Sequence, residues 1–184
     1  MFNVRIQVPP LTALIRKKGD QADPLLLDAA HRLVSSGRNV VGVIQERVAC
    51  ADSCCDDFYL RDLRTGESIH ISQQLGSGSR GCRLNYERLA DALVNVKQQL
   101  NEPADALILN RFGYSESQGG GLRPLIEAAF EFEVPVLLAV NPTYQQAWRD
   151  YAGMYSSDLP ANRHSVEHWL ELVLQTASSR RATA

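Results

Sequence analysis

What this sequence has little of sets the first limits on what it does. It has no excess of positive charge: 19 Lys and Arg stand against 21 Asp and Glu, for a formal net charge of −2. Domains that bind nucleic acid are usually basic, so nucleic acid is not an expected partner. Long apolar runs are also missing, none approaching the ~18–20 residues that span a bilayer, and membrane insertion is not expected. The stretch Met1–Pro10 carries a single Arg and lacks the apolar core and small-residue cleavage site of a secretory signal. The expectation is therefore a cytoplasmic protein whose four cysteines stay reduced. Cys50, Cys54, Cys55 and Cys82 form a C-x₃-C-C cluster and a lone thiol, not the two C-x₂₋₄-C pairs that structural zinc favours. Neither a disulfide scaffold nor a metal site is expected from them.

What is present suits a globular α/β protein. A length of 184 residues fits one domain, with a core over about 11–176 and a frayed polar tail at 177–184. Leu11–Arg16 reads as a buried strand leading into a tight turn at Lys17-Lys18-Gly19-Asp20. Asp23-Pro24 supplies an N-cap and a first-turn proline; apolar residues at helical spacing follow, and Gly37 stops the helix. Asn39–Gln45 is β-branched and almost wholly apolar, as in a strand covered on both faces. Short alternating segments at Asp57–Asp62 and Glu67–Ser72, joined through Arg64-Thr65-Gly66, predict a hairpin.

The rest continues the alternation. Helices are predicted near Asn85–Leu100, Leu122–Phe132, Tyr144–Ala152 and Ser165–Thr176, with buried strands at Asp105–Leu109 and Val134–Val140. The pattern predicts three layers, a mostly parallel sheet between helices, with the hairpin as an antiparallel addition at one edge. Ligands in such folds bind beyond the carboxyl ends of the strands. Lys17–Asp23, Asn110–Gly121 and Asn141–Gln145 are predicted there, joined by Gln73–Arg83 if the hairpin folds back.

The first of these loops lies where a Walker A motif would lie. That motif, G-x-x-x-x-G-K-[ST], needs glycines to turn backbone N–H groups toward phosphate, a Lys for charge and a hydroxyl for Mg²⁺. Here the residues are KKGDQADPLL. Gly19 stands alone, no Lys-Ser/Thr pair opens the helix, and Asp20 and Asp23 bring negative charge. Two readings stand: an ordinary strand-to-helix turn, or a residual polar-ligand site at the helix start. A Walker B strand ends in an Asp that holds Mg²⁺, but LILNRFGYSE ends in Asn110-Arg111. Asn brings no charge for the metal and Arg repels it, so Mg²⁺-dependent hydrolysis is not expected.

These segments resemble the compact nucleoside-triphosphatase family of P-loop proteins first described in thermophiles. Where that family has D-E-I-G-x-M-E, a helix and P-V-L-x-V, this chain has NRFGYSE, LRPLIEAAFEFE and VPVLLAV. Over about Leu11–Leu172 the chain more closely resembles a bacterial family catalogued as domain of unknown function 2478. The resemblance is carried by VGVIQ, CDDFYLRDLRTGESIHISQQLGSGSRGCRL, LNRFGYSESQGGGLR and PVLLAV. It implies a P-loop-type fold without nucleotide chemistry and, because members are often encoded beside molybdate-uptake genes, a link to molybdenum or related oxyanions. Tyr114 stands where that family leads one to expect a Lys.

The strongest anion-binding candidate is the loop GSGSRGCR. Gly76, Gly78 and Gly81 permit backbone conformations that converge N–H groups on an anion, and Ser77, Ser79, Arg80 and Arg83 add donors beside Cys82. A solvated surface loop is the alternative. Glu116 matches the glutamate that follows the Walker B strand in the related triphosphatases, and Arg123 opens the next helix; a structural ion pair and a ligand contact are both open. His31 falls within the first helix and His70 on the hairpin, and His164 and His168, four apart, read as a surface helix lacking H-E-x-x-H.

The candidate ligand-binding set is Gly19, Asp20, Gly76, Gly78, Ser79, Arg80, Gly81, Cys82, Arg83, Asn110, Arg111, Gly113, Glu116 and Arg123. No residue is assigned to catalysis or metal, and no cofactor is implied. The expected ligand is a small anion, an oxyanion or a nucleotide phosphate. A divergent nucleoside triphosphatase and a protein-interaction module are the alternatives. In the last, Phe112, Tyr114, Trp148, Tyr151 and Tyr155 form an aromatic patch toward a second copy or a transporter component.

Overall fold

Alternation along the strands decides how the layers stack, because successive side chains of a strand point to opposite faces. The computed structural model describes residues 8–17, 19–49, 56–73 and 84–182. The strands are β1 (Leu11–Ile15), β2 (Val40–Val48), β3 (Asp57–Asp62), β4 (Ser68–His70), β5 (Ala106–Phe112), β6 (Val136–Val140) and β7 (Ser156–Pro160). The helices are α1 (Asp23–Ser35), α2 (Tyr86–Gln99), the single turn α3 (Tyr114–Ser117), α4 (Arg123–Glu131), α5 (Gln145–Ala152) and α6 (Arg163–Ala182).

They form one sheet in the order β4-β3-β2-β5-β6-β1-β7. Strands β2, β5, β6, β1 and β7 are parallel, while β3 runs antiparallel to β2 and β4 antiparallel to β3. Val41, Val43, Leu107, Leu109, Val136 and Leu138 face one core with Ala92 and Val96 of α2, Leu125 of α4 and Trp148 of α5. Val40, Ile44, Ala106, Ile108, Leu137 and Ala139 face the other, with Leu26 and Leu33 of α1 and Trp169 of α6. The three-layer α/β arrangement with its antiparallel edge hairpin is as the sequence predicts.

Gly42 is what lets β2 lie against β5. Its φ is +136°, and a Cβ there would stand 1.9 Å from the carbonyl oxygen of Ile108. No side chain fits. The hairpin is tied down elsewhere by Asp62, buried at 4% exposure. One oxygen accepts the backbone N–H groups of Arg64 and Thr65 at 2.8 and 3.0 Å, and the other accepts from Gln99 Nε2 at 2.5 Å. Arg64 Nη1 in turn donates to the Gln99 carbonyl at 2.8 Å. The turn is thus fastened to the last turn of α2.

Several elements differ from expectation. Strand β5 runs on through Phe112, so Asn110 and Arg111 are strand residues and not the start of a loop. Helix α1 has Ala22 as its N-cap residue, without a side-chain cap, and Asp23 is its first residue. Strand β7 is not predicted by the sequence pattern, because SSDLP is polar and lies at the sheet edge, where one-sided pairing with β1 suffices. Helix α6 continues to Ala182, through residues expected to fray.

Gly42→Ala is expected to lower unfolding stability by more than about 2 kcal/mol, since a Cβ collides with backbone that cannot yield. Urea denaturation followed by circular dichroism measures this, and an unchanged midpoint would contradict the close approach.

Candidate functional site

The carboxyl ends of the parallel strands share one rim of the sheet, where the loops after β1, β5 and β6 emerge. Strand β4 runs in the same sense as the parallel set, and its last residue, His70, pairs with Tyr59, which pairs with Glu46 late in β2. The bridge Ser72↔Leu84 lies just beyond, and Ser72 Oγ accepts from the Phe58 N–H at 2.6 Å. The base of the loop 73–84 therefore opens on this rim as well. Gly76, Gly78, Ser79, Arg80, Gly81, Cys82 and Arg83 lie outside the described residues, as do Cys50, Cys54 and Cys55.

The centre of the rim is Asn110. The pairing of β5 with β6 slips between Leu109 and Arg111, which makes Asn110 the extra residue of a β-bulge. Bulges re-aim side chains and are frequent beside functional sites. At 3% exposure, Asn110 joins three elements. Its Oδ1 accepts the Gln45 N–H of β2 in a short contact, and its Nδ2 donates to Asp23 Oδ1 of α1 at 3.2 Å. A longer 3.5 Å contact reaches the Gln45 carbonyl. The Arg111 guanidinium stands 3.8 Å from Asp23 Oδ2. Asp23, expected to cap its own helix, turns its carboxylate to these two neighbours instead, because the bulge delivers donors directly beside it.

The loop after β1 closes on itself. The Asp20 carboxylate accepts the Lys17 N–H at 2.6 Å, and the Asp20 N–H donates to the Lys17 carbonyl at 3.1 Å. Arg16 donates Nε and Nη2 to the Asp20 carbonyl at 3.1 and 2.5 Å. Gly19 takes φ +96°, which the predicted tight turn requires. Backbone N–H groups that a phosphate loop would aim at a ligand are here partly met from within.

The loop after β5 has the same character. Glu116 is buried at 7% exposure; Oε2 accepts the Gly113 N–H and Oε1 the Leu122 N–H, both at 2.9 Å. Gly121 has φ +60°, and a Cβ there would lie 2.0 Å from Oε1. Arg123 is engaged with other groups: its Nε is 3.6 Å from Glu127 Oε1, and its guanidinium lies 4.1 Å above the Tyr151 ring. Glu116 and Arg123 thus make contacts within the chain, and Arg123 Nε has no hydrogen-bond partner among the described residues.

The aromatic residues divide. Phe112 and Trp148 are fully buried, with ring centroids 5.3 Å apart, and Tyr151 stacks on Phe112 at 5.7 Å. Tyr114 and Tyr155 are exposed, so the five make no continuous surface patch. His31, His164 and His168 are exposed on their helices. His70 stands 3.7 Å from Asp57 and 3.3 Å from Arg88. Among the described residues no group of three or more His, Cys, Asp or Glu could hold a metal ion, and no helix is long and apolar enough to cross a membrane. A shallow groove lined by Arg32, Ser36, Glu167 and Leu174 lies at the far end of α1 from Asp23 and shares no residue with the rim.

The sequence singles out Asn110 and Arg111 by their position at a strand end, but not Gln45 and Asp23 as their partners. Nothing in the spacing announces a bulge; the acid at the start of α1 was the one available signal.

The parallel sheet and the strand–turn–helix at β1–α1, with a second polar strand end at β5, define an α/β domain of the P-loop nucleoside-triphosphatase type. The chain belongs to the family described as Protein of unknown function (DUF2478), whose model matches residues 11–169. It is also similar to the molybdenum import ATP-binding protein ModC 2 of Bradyrhizobium diazoefficiens, at 33% identity over 159 residues. That match spans 86% of this chain and 18% of the relative. No solved structure gives a significant match.

Two expectations follow. Glu116→Gln replaces one acceptor by a donor facing a backbone N–H and is expected to cost about 1–3 kcal/mol, measured by urea unfolding. The Tyr151 hydroxyl has its pKa raised above the ordinary 10.0, first by burial and then by the nearby Glu127 carboxylate. A raised folded-state value means its contribution to stability is complete below the unfolded pKa and is lost as pH rises through the folded one. Thermal unfolding above pH 10 should therefore fall less steeply in Tyr151→Phe than in the parent; identical alkaline slopes would refute this.

Proposed function

We propose that the chain is a non-catalytic P-loop-like domain that binds a small anion, an oxyanion or a nucleotide phosphate, at the strand carboxyl ends, in work linked to molybdate handling. The observation that carries this reading is Arg111. Its guanidinium is 44% exposed on the rim, and its pairing with Asp23 is long at 3.8 Å. Arginine presents a planar fork of donors suited to oxyanions. The base of the loop 73–84 opens on the same rim, and the sequence of that loop carries Ser79, Arg80 and Arg83 as further donors. The name of the relative supports the link to molybdenum.

The same residues weigh against a divergent triphosphatase. No Lys follows Gly19, Asn110 replaces the metal-binding acid, and the Glu116 carboxylate already accepts two backbone N–H groups. Titration calorimetry with molybdate, tungstate, sulfate, ATP and GTP tests the reading. Binding of at least one anion is expected, weakened about tenfold or more in Arg111→Ala; absence of heat from every ligand would overturn it. Phosphate release from Mg-ATP is expected to stay at background, and turnover lost in Arg111→Ala would restore the enzyme.

A second reading has its own support. The matching segment is 18% of the relative's length, so in that protein such a domain is joined to other segments. We infer that a transporter ATP-binding component, or a second copy of the chain, is the partner class. Sedimentation of the chain alone and with such a component measures this, and a monomer unaffected by it would count against the reading.

A further inference from the structure

We propose that Asp23 is a tethered competitor for the anion: its carboxylate holds Arg111, and an oxyanion binds by displacing it. The proposal rests on the anion-binding reading above and adds a regulation to that site. Asp23 is held unequally. Asn110 Nδ2 donates to Oδ1 at 3.2 Å, whereas Oδ2 reaches Arg111 only at 3.8 Å. A charge-assisted bond is about 2.7–2.9 Å, so the arginine side of the contact is the weak one.

Mobility is unequal too. Asn110 is buried and fixed to Gln45 in the bulge, which anchors the carboxylate at the start of α1. Arg111 is on a flexible stem, and both members of the pair are exposed, at 44% and 42%, where ion pairs are weak and screened by salt. An oxyanion that offers two oxygens to the guanidinium fork competes well against one distant carboxylate oxygen. It must also approach a fixed negative charge. Its apparent affinity is therefore reduced by the fraction of molecules in which Arg111 is engaged.

Asp23→Asn removes the charge and keeps an acceptor for Asn110, so the bulge should survive. Molybdate and inorganic phosphate, titrated at low ionic strength, are expected to bind the variant about tenfold more tightly than the parent. The gain should shrink with added salt and vanish in Asp23→Asn/Arg111→Ala. Asp23→Ala, with its fold checked by circular dichroism, should move affinity in the same direction. Equal or weaker binding by both Asp23 variants overturns the competitor while leaving anion binding by the parent intact. If neither parent nor variants bind, both readings fall. Binding by the variants alone upholds the competitor and removes anion binding from the native protein.

Discussion

The buried carboxamide of Asn110 is the contact on which the rim of this protein depends. It stands where three elements meet, accepting from the backbone of β2 and donating to the first residue of α1 from its own place in β5. A carboxylate in its place would face Asp23 with like charge, and a purely apolar side chain would leave the Gln45 N–H without its acceptor. An amide meets both demands because it donates and accepts at once. The same residue thereby joins helix to sheet.

The neighbouring loops follow the same logic. Asp20 satisfies an N–H in the turn after β1, and Glu116 satisfies two in the loop after β5. In each case a carboxylate from the chain accepts from backbone groups near the start of a helix or within a loop. Buried polar groups are costly unless paired, and here the protein supplies the pairs itself. Among the described residues of the rim, Lys17, Arg111 and Tyr114 remain exposed to solvent.

Membership of the DUF2478 family and likeness to part of a molybdenum import ATP-binding protein fit a fold of P-loop type. The likeness covers less than a fifth of that larger protein. The rim carries an acid, Asp23, at the start of α1 and an amide, Asn110, near the end of β5, and the two are hydrogen-bonded to each other.

Much of the architecture was legible in the residues alone. VVGVI, ALILN and VPVLLAV are short, almost wholly apolar runs of strand length, as in strands covered on both sides, and the helices between them carry apolar residues at helical spacing. The polar strand β7 was not legible, because its stability comes from pairing with β1 and not from its own composition. Asn110 and Arg111 could be picked out as replacements at a strand end, yet their partners could not. Residues 23, 45 and 110 are distant in the chain, and only a register slip in β5 turns Asn110 toward the other two. Local sequence determined which segments became strands and helices, since period and branching act over a few neighbours. The tertiary structure decided what the rim could do, since hydrogen bonding between distant segments depends on the register in which the strands come together.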